Sequence, residues 1–530
     1  MQKLASTKPF NDGFQIRGSL LDDSATNEAV ATMMEVFESC LGPHGQCKLI
    51  HNGLGGHVTV TSSSERLLRT TQTSSPVLKL IIVGVQQHLA VFSDGGAMAV
   101  TLALQIILRA RKLDINRHLA TEIINVVTQE CIGFLHSDGC ASRFRLSLDN
   151  LDHLLKIVHG ITSTKAACCT SRKETEHIDR CIVKTFLKTF QNNLNSSDER
   201  VRYLCVEGKS VKDSYVIDGL VVEAINIPTN SQSAPRVKFL NDGLKSGQIL
   251  TAVFNISLAG DMEDMIDVVF EASHESQVQD AVLEQILAMG ADLIKLGVGA
   301  VFCQKVMHPK LKLLLKENGI LPVDRLGIML IKQVHDLAGG KLLASTLEPL
   351  HVNDFGYINS IAHRVINNRS YLHLLSSDAN VSGCTFVLCG SSEEPLTELK
   401  HVCSVGYHVL RQSVAAGVVL KGGGLWQLEL SRHLKALSLE TLIDWSSSLE
   451  CSMLQIRIVV HMLAECFERL YDVIVKGPTD KYGGEELKDV DVQQTAVVLD
   501  AFEPSSNAVR TAMFLSSMVL SIHRYILNSN

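Results

Sequence analysis

The sequence predicts an α+β multidomain fold: mainly helical segments at both ends of the chain, with an α/β domain inserted in the middle. Three observations predict it. Apolar residues recur at helical spacing up to about His159 and again from Leu396 onward, whereas short apolar runs and helical stretches alternate between about Ser214 and Val323. The length, 530 residues and 58.0 kDa, exceeds what one core accommodates, and a soft prior gives roughly three domains. Finally, three glycine-bearing loops, two near one end and one near the other, read as parts of one phosphate cradle, which makes the middle an insertion.

In chain order, residues 27–40 place Val30, Met33, Met34, Phe37 and Cys40 on one helical stripe, and Gly42-Pro43 stops it. Residues 56–62 alternate as a strand, and 76–92 return to helical spacing through Leu78, Ile81, Ile82, Val85 and Leu89. Helices dominate to about His159. Residues 215–222 read as one apolar strand and 248–256 as another. An amphipathic helix at 278–289 leads into a strand at 300–303, followed by a helix at 310–317 and a short strand at 320–323. After Asp354 the pattern is mixed, and toward the end 454–471 and 509–527 are long helical segments. No internal repeat is evident, and 192–197 and 476–486 read as exposed polar loops.

Composition excludes several classes. Hydrophobic residues make up 46%, charged residues 20%, and the net charge is −7, so no basic excess points to nucleic acid. Fourteen cysteines include no CxxC pair and no Cys/His cluster at zinc spacing, since Cys168-Cys169 and Cys384/Cys389 do not qualify. Reduced, mostly buried thiols in a cytoplasmic protein are expected. Residues 1–10 carry Lys3 and Lys8 without a following apolar run, which is not the pattern of a signal peptide. The most apolar stretches, 97–108 and 293–303, are shorter than the roughly 20 residues a spanning helix needs, so no membrane insertion is expected.

The candidate site rests on Leu41-Gly42-Pro43-His44-Gly45 with Lys48 behind it, Ser93-Asp94-Gly95-Gly96-Ala97 opening an apolar helix, and Gly422-Gly423-Gly424. Taken singly, each has a plainer reading. Gly422 to Gly424 suits a helix cap or tight turn, Asp94 a capping residue, and Glu503 a solvated turn carboxylate. His51, His57, His308 and His401 read as surface or satisfied core histidines. Glu207-Gly208-Lys209-Ser210 resembles the end of a P-loop, but Tyr203 stands where its first glycine belongs.

In their order and spacing these loops resemble those of the group II chaperonins, over essentially the whole chain. The strings at 49–61, 170–178 and 302–309 are similar to a divergent chaperonin-like branch of that family. The resemblance implies an equatorial domain from 1–160 and 399–530, a small intermediate domain from 161–213 and 354–398, and an apical α/β domain at 214–353. Leu41 to Gly45 match the family's Leu-Gly-Pro-x-Gly loop. Ser93 to Ala97 match Gly-Asp-Gly-Thr-Thr, which keeps Asp94, the Mg²⁺ ligand, and loses both phosphate-binding threonines. Ser62-Ser63-Ser64 fall on the family's Asn-Asp-Gly, and Val405 on the aspartate that orients the attacking water. Gly422 to Gly424 are kept with Glu429 after them, Glu503-Pro504 match a late Glu-Pro near the base, and Lys165 falls on a lysine that senses the terminal phosphate. ATP or ADP with Mg²⁺ is therefore expected weakly or not at all.

For function, the resemblance implies a chaperonin-like protein that assists folding or assembly with little ATP hydrolysis. Its implied partners are other chaperonin-like proteins and the cytosolic ring chaperonin, with BBSome subunits as clients, near the centrosome and ciliary basal body. An active ATP-dependent folding subunit and a nucleotide-independent scaffold remain open. Client binding is expected on apical helices, where Val282, Leu283, Ile286 and Leu287 form one candidate stripe, although core packing is the plainer explanation of it, and 310–315 another. Residues 260–277 leave space for a short lid at most.

Overall fold

The computed structural model describes residues 14–17, 20–51, 58–165, 171–190, 200–223, 248–260, 275–376, 383–477 and 498–528. The chain enters on β1 (Phe14–Arg17) and α1 (Ser24–Glu38), and turns through β2 (Lys48–His51) and β3 (Val58–Thr61). It continues through α2 (Ser64–Thr70), α3 (Pro76–Phe92), α4 (Gly96–Ala110), α5 (Arg117–His136), β4 (Arg143–Arg145), α6 (Leu151–Thr162) and α7 (Arg172–Thr189). The middle runs β5 (Val201–Glu207), β6 (Tyr215–Asp218), β7 (Leu220–Glu223), β8 (Ile249–Phe254), α8 (Glu275–Lys295), β9 (Ala300–Cys303), α9 (Pro309–Glu317) and β10 (Leu321–Val323). It ends with α10 (Gly327–Ala338), β11 (Leu342–Leu343), β12 (Gly356–Ile366), β13 (Arg369–Ser376) and β14 (Cys384–Gly390). The last part comprises α11 (Glu393–Ala416), β15 (Val418–Lys421), α12 (Leu425–Lys435), α13 (Leu439–Ser448), α14 (Met453–Lys476), β16 (Leu499–Ala501), α15 (Phe502–Leu520) and β17 (Tyr525–Asn528). These elements form two units, one of residues 1–183, 210–212 and 390–530, the other of 184–209 and 213–389.

The first unit is built around α4. Ala99, Val100, Leu102, Ala103, Leu104, Ile106 and Ile107 have no exposed surface, because a helix that is apolar all round is stable only when other helices surround it. α1, α3, α14 and α15 pack on it. Local chemistry sets where these helices begin: Asp23 caps α1 by accepting from Thr26 N at 3.1 Å, Pro76 opens α3, and Asn116 and Asn150 cap α5 and α6. β15 pairs antiparallel with both β4 and β16, and β1 pairs antiparallel with β17.

The second unit holds a seven-stranded sheet in the order β10-β9-β8-β12-β13-β7, with β11 also beside β8, and a three-stranded sheet β5-β14-β6. β8, β9 and β10 are parallel and are linked through α8 and α9, which matches the strand-helix alternation read from the sequence. β9 is buried along its whole length, as a parallel strand covered on both faces must be. Val282, Ile286, Leu311 and Leu315 pack on one face with Ala252 and Phe254, whereas Ile331 and Val334 pack on the other with Val253 and Phe302. β12 and β13 form a hairpin through Asn367 and Asn368, at φ 47° and 61°, as a type I′ turn requires.

Two sequence expectations are corrected. Residues 215–222 are not one strand: β6 pairs with β14 and β7 with β13, in different sheets. The break is Gly219, at φ 78°, where an added Cβ would lie 2.2 Å from Leu374 O. The segment expected to be helical at 509–527 instead starts its helix at Phe502 and leaves it at Leu520, before β17. The loop expected at 192–197, most of that at 476–486 and most of the lid segment lie outside the described residues.

Candidate functional site

Every candidate loop residue belongs to the first unit, and α14 brings the first and third loops together. Gly42, at φ 74°, packs so closely on α14 that a Cβ would lie 2.8 Å from Ile474 O. Gly424, at φ 87°, is the N-cap of α12, and a Cβ there would lie 2.9 Å from Tyr471 Cδ2. Tyr471 and Ile474 stand three residues apart, hence on one face of α14. Within the first loop, Leu41 is buried, Pro43 is exposed, and Gly45 N donates to Gly42 O at 3.1 Å.

The second loop follows Ser93, and Gly95 is the N-cap of α4, with no side chain capping that helix. Asp94 therefore does not serve as the cap. Its carbonyl accepts from His88 Nε2 at 2.8 Å, and burial lowers the His88 pKa, partly offset by that bond and by the Asp94 charge. Gly96 packs beside Ser64 Oγ and Leu89.

Asp500, which the sequence reading missed, links the second and third loops. It lies on β16, whose partner β15 runs into the third loop, and its Oδ1 is 2.5 Å from where a Cβ on Gly422 would stand. Trp426 Nε1 donates to Oδ2 at 2.9 Å. Burial pushes the Asp500 pKa up to about 6; the Trp426 bond opposes this, and the nearby Asp94 charge adds to it. The only signal was one carboxylate between apolar neighbours in a three-residue strand. Glu503 sits instead in the first turn of α15, accepting from Asn507 Nδ2 at 3.2 Å, while Pro504 O faces Gly95.

Around Ser62 to Ser64 and Val405, which the resemblance pairs with two acids, the structure has a polar network. Ser62 Oγ donates to Thr164 O at 3.2 Å, and Ser63 Oγ is 2.7 Å from His401 Nε2. Val405, on α11, is half-buried. The buried carboxylate of α11 is Glu398, with no exposed surface; it accepts from Thr61 Oγ1 at 2.8 Å and pairs with Arg66. Burial lowers the His401 pKa, with Glu65 and Glu398 opposing and Arg66 and Lys165 assisting. The Lys165 charge also lowers the Cys40 pKa, at the entry of the first loop, against the larger upward effect of burial. His308 caps α9 by accepting from Lys310 N at 3.2 Å, and His57 lies outside the described residues. Glu429 accepts from the backbone N–H groups of Ala141 and Ser142, a structural role at the start of β4.

Asp94 accepts no hydrogen bond at its carboxylate among the described residues, and no group of three His, Cys, Asp or Glu there could hold a metal. The twelve described cysteines form no disulfide with one another, and nine of them are buried, whereas Cys168 and Cys169 lie outside the described residues. In the second unit Val282 and Ile286 are core residues, with Leu283 and Leu287 half-buried, so that stripe packs the sheet; of the leucines in the 310–315 stripe on α9, only Leu313 is exposed, at 58%. No helix among the described residues is long and apolar enough to cross a membrane. A groove of about 530 Å³ lies between α1 and residues 71–73, lined by Glu28, Thr32, Phe37 and Gln72, and none of the loop residues lines it.

Comparison with known proteins agrees with this architecture. The model of the TCP-1/cpn60 chaperonin family matches residues 33–475. The sequence is 30% identical over 477 residues to "Molecular chaperone MKKS" of Mus musculus, covering 88% of this chain and 80% of that protein. It is 29% identical over 474 residues to the Homo sapiens protein of the same name, with the same coverage. Thermosome subunit alpha of Saccharolobus solfataricus is 23% identical over 423 residues, 77% of this chain and 72% of that subunit. The strings at 49–61, 170–178 and 302–309, through which the sequence resembles the McKusick-Kaufman syndrome protein, all fall within the matched residues.

Proposed function

The chain belongs to the TCP-1/cpn60 chaperonin family, and from that premise we propose that it assists the folding or assembly of protein complexes by binding them, with a degenerate nucleotide site. One observation carries the reading. The places of the family's two water-side acids hold Ser62-Ser63-Ser64 and Val405, and no Asp or Glu occurs between Leu399 and Val414. Glu398 is no substitute, because its carboxylate is already committed to Thr61 and Arg66. A serine hydroxyl and a valine cannot deprotonate water at neutral pH.

The phosphate side fits a nucleotide better than the catalytic side does. α4 and α12 both begin at glycine N-caps without side-chain caps, so the N–H groups of their first turns, apart from Leu425 N, which donates to Gly422 O at 3.4 Å, and their helix dipoles are available to an anion. Leu41, Gly42, Pro43, Gly45 and Gly422 would wall that cradle, with Gly95, Gly96, Gly423 and Gly424 lending backbone N–H groups, since Gly422 N already donates to Val498 O at 3.1 Å. Asp94 would hold Mg²⁺, Lys165 would face the terminal phosphate, and Asp500 would lie nearer the third loop than Glu503 does. Bound Mg²⁺ would neutralise phosphate charge; no hydrolytic step follows from these residues.

At the cellular level we read the chain as a partner of other chaperonin-like proteins and of the cytosolic ring chaperonin, with BBSome subunits as its clients, near the centrosome or basal body. This reading follows from the family resemblance. The test is ATP binding and turnover by the purified chain, with Asp94→Ala as control. Asp94-dependent binding without turnover is expected. Asp94-dependent turnover would restore an active folding subunit, and absence of binding would leave a nucleotide-independent scaffold.

A further inference from the structure

Four polar side chains lie in the core of the first unit with atoms that no described group bonds. Thr101 and Gln105 on α4 are 0% and 4% exposed, and Gln427 and Ser431 on α12 are 2% and 1% exposed. Their unpartnered atoms are Thr101 Oγ1, Gln105 Nε2 and Oε1, Gln427 Oε1 and Ser431 Oγ. Thr101 does not even take the bond to the preceding turn that buried helical threonines commonly use. Buried polar groups in folded proteins are satisfied, so the set requires a partner.

Helical geometry gathers these atoms onto two helix faces. Met98, Thr101, Gln105 and Arg109 stand three or four residues apart on one face of α4, and Gln427 and Ser431 share a face of α12. The two faces touch where Gln427 Nε2 lies 3.7 Å from Met98 Sδ. α14 packs on both helices and supplies Glu465 to Arg109 at 2.5 Å, both side chains being partly exposed. The seam thus starts behind the second and third glycine loops and ends at a surface ion pair.

We propose that this seam is a built water site: a short file of ordered water molecules bridging Thr101, Gln105, Gln427 and Ser431 between α4 and α12. The chemistry selects the ligand. An anion would meet the amide oxygens of Gln105 and Gln427, and a cation would meet the Gln105 amide N–H groups. Water, with two donors and two acceptors, satisfies both kinds. Because α4 and α12 each begin at a glycine loop, the file joins the two loop-bearing helices through exchangeable bonds rather than through fixed side-chain packing.

A crystal structure of the full chain, at a resolution that shows ordered water, tests this directly. Density within hydrogen-bond distance of the Gln105 amide and Thr101 Oγ1 is expected. Thr101→Val, which keeps the shape and removes one bond, is expected to lose a water peak and lower Tm by about 1–2 °C. A seam without water density, or a Tm raised by Thr101→Val or Gln105→Met, would overturn the proposal, because a dry seam gains from losing its unbonded polar groups. Should Gln105→Met not fold, the nearly isosteric Thr101→Val decides.

Discussion

Glu398 shows how a single buried charge is held. It is fully buried on α11, and Thr61 and Arg66 supply its hydrogen bonds and countercharge. Removing the countercharge leaves an uncompensated anion, so Arg66→Ala is expected to cost about 3–5 kcal/mol in urea denaturation. Replacing both partners with apolar residues should recover much of that loss. Asp500 gives a pH signature. Its folded pKa, about 6, lies above the ordinary value of 3.8, so its stabilising contribution is complete below 3.8 and is lost as pH rises through 6. The melting temperature of Asp500→Asn is therefore expected to fall less than that of the parent chain between pH 4 and pH 7, by calorimetry at a series of pH values. At this scale the sequence revealed the glycine loops, because glycine at a loop-to-helix junction is a local signal. It did not reveal Asp500 or Glu398: each depends on a partner, Trp426 or Thr61, that lies far away along the chain and is brought close by tertiary packing.

At the scale of elements, long periodic helices were legible and short strands were not. α3 spans the residues its apolar spacing indicated, and β9 coincides with its apolar run. The run at 215–222 concealed two strands, because apolar continuity does not distinguish one strand from two that pass into separate sheets. Gly219 makes that passage possible, with a positive φ and a close approach to Leu374 O. Gly219→Val is expected to destabilise the second unit by at least about 2 kcal/mol, and urea unfolding followed by circular dichroism would register the loss. The β12-β13 hairpin escaped notice because Asn367-Asn368 is a weaker turn signal than a glycine-containing pair.

At the scale of the molecule, membership of the chaperonin family rests on a match spanning residues 33–475, whereas the proposed loss of hydrolysis rests on a few side chains within that match. Fold and activity can part in this way because packing depends on many distributed apolar contacts and turnover on a few placed acids. ATP with Mg²⁺ is accordingly expected to raise the melting temperature of the parent chain but not of Asp94→Ala, a linkage that detects binding where turnover is absent.

The pairing of β1 with β17 has a consequence for connectivity. Phe14 stands opposite Asn528 in an antiparallel register, so the strands form a hairpin whose turn is missing, with the two positions one strand spacing apart, about 5 Å. With residues 1–13 and 529–530 removed, a two-residue Asn-Gly linker from 528 to 14 would supply that turn, and the chain could then be opened at the exposed segment around Leu347. Such a circular permutant is expected to fold with the parent's circular dichroism spectrum, its first and last residues now belonging to the middle of the original sequence.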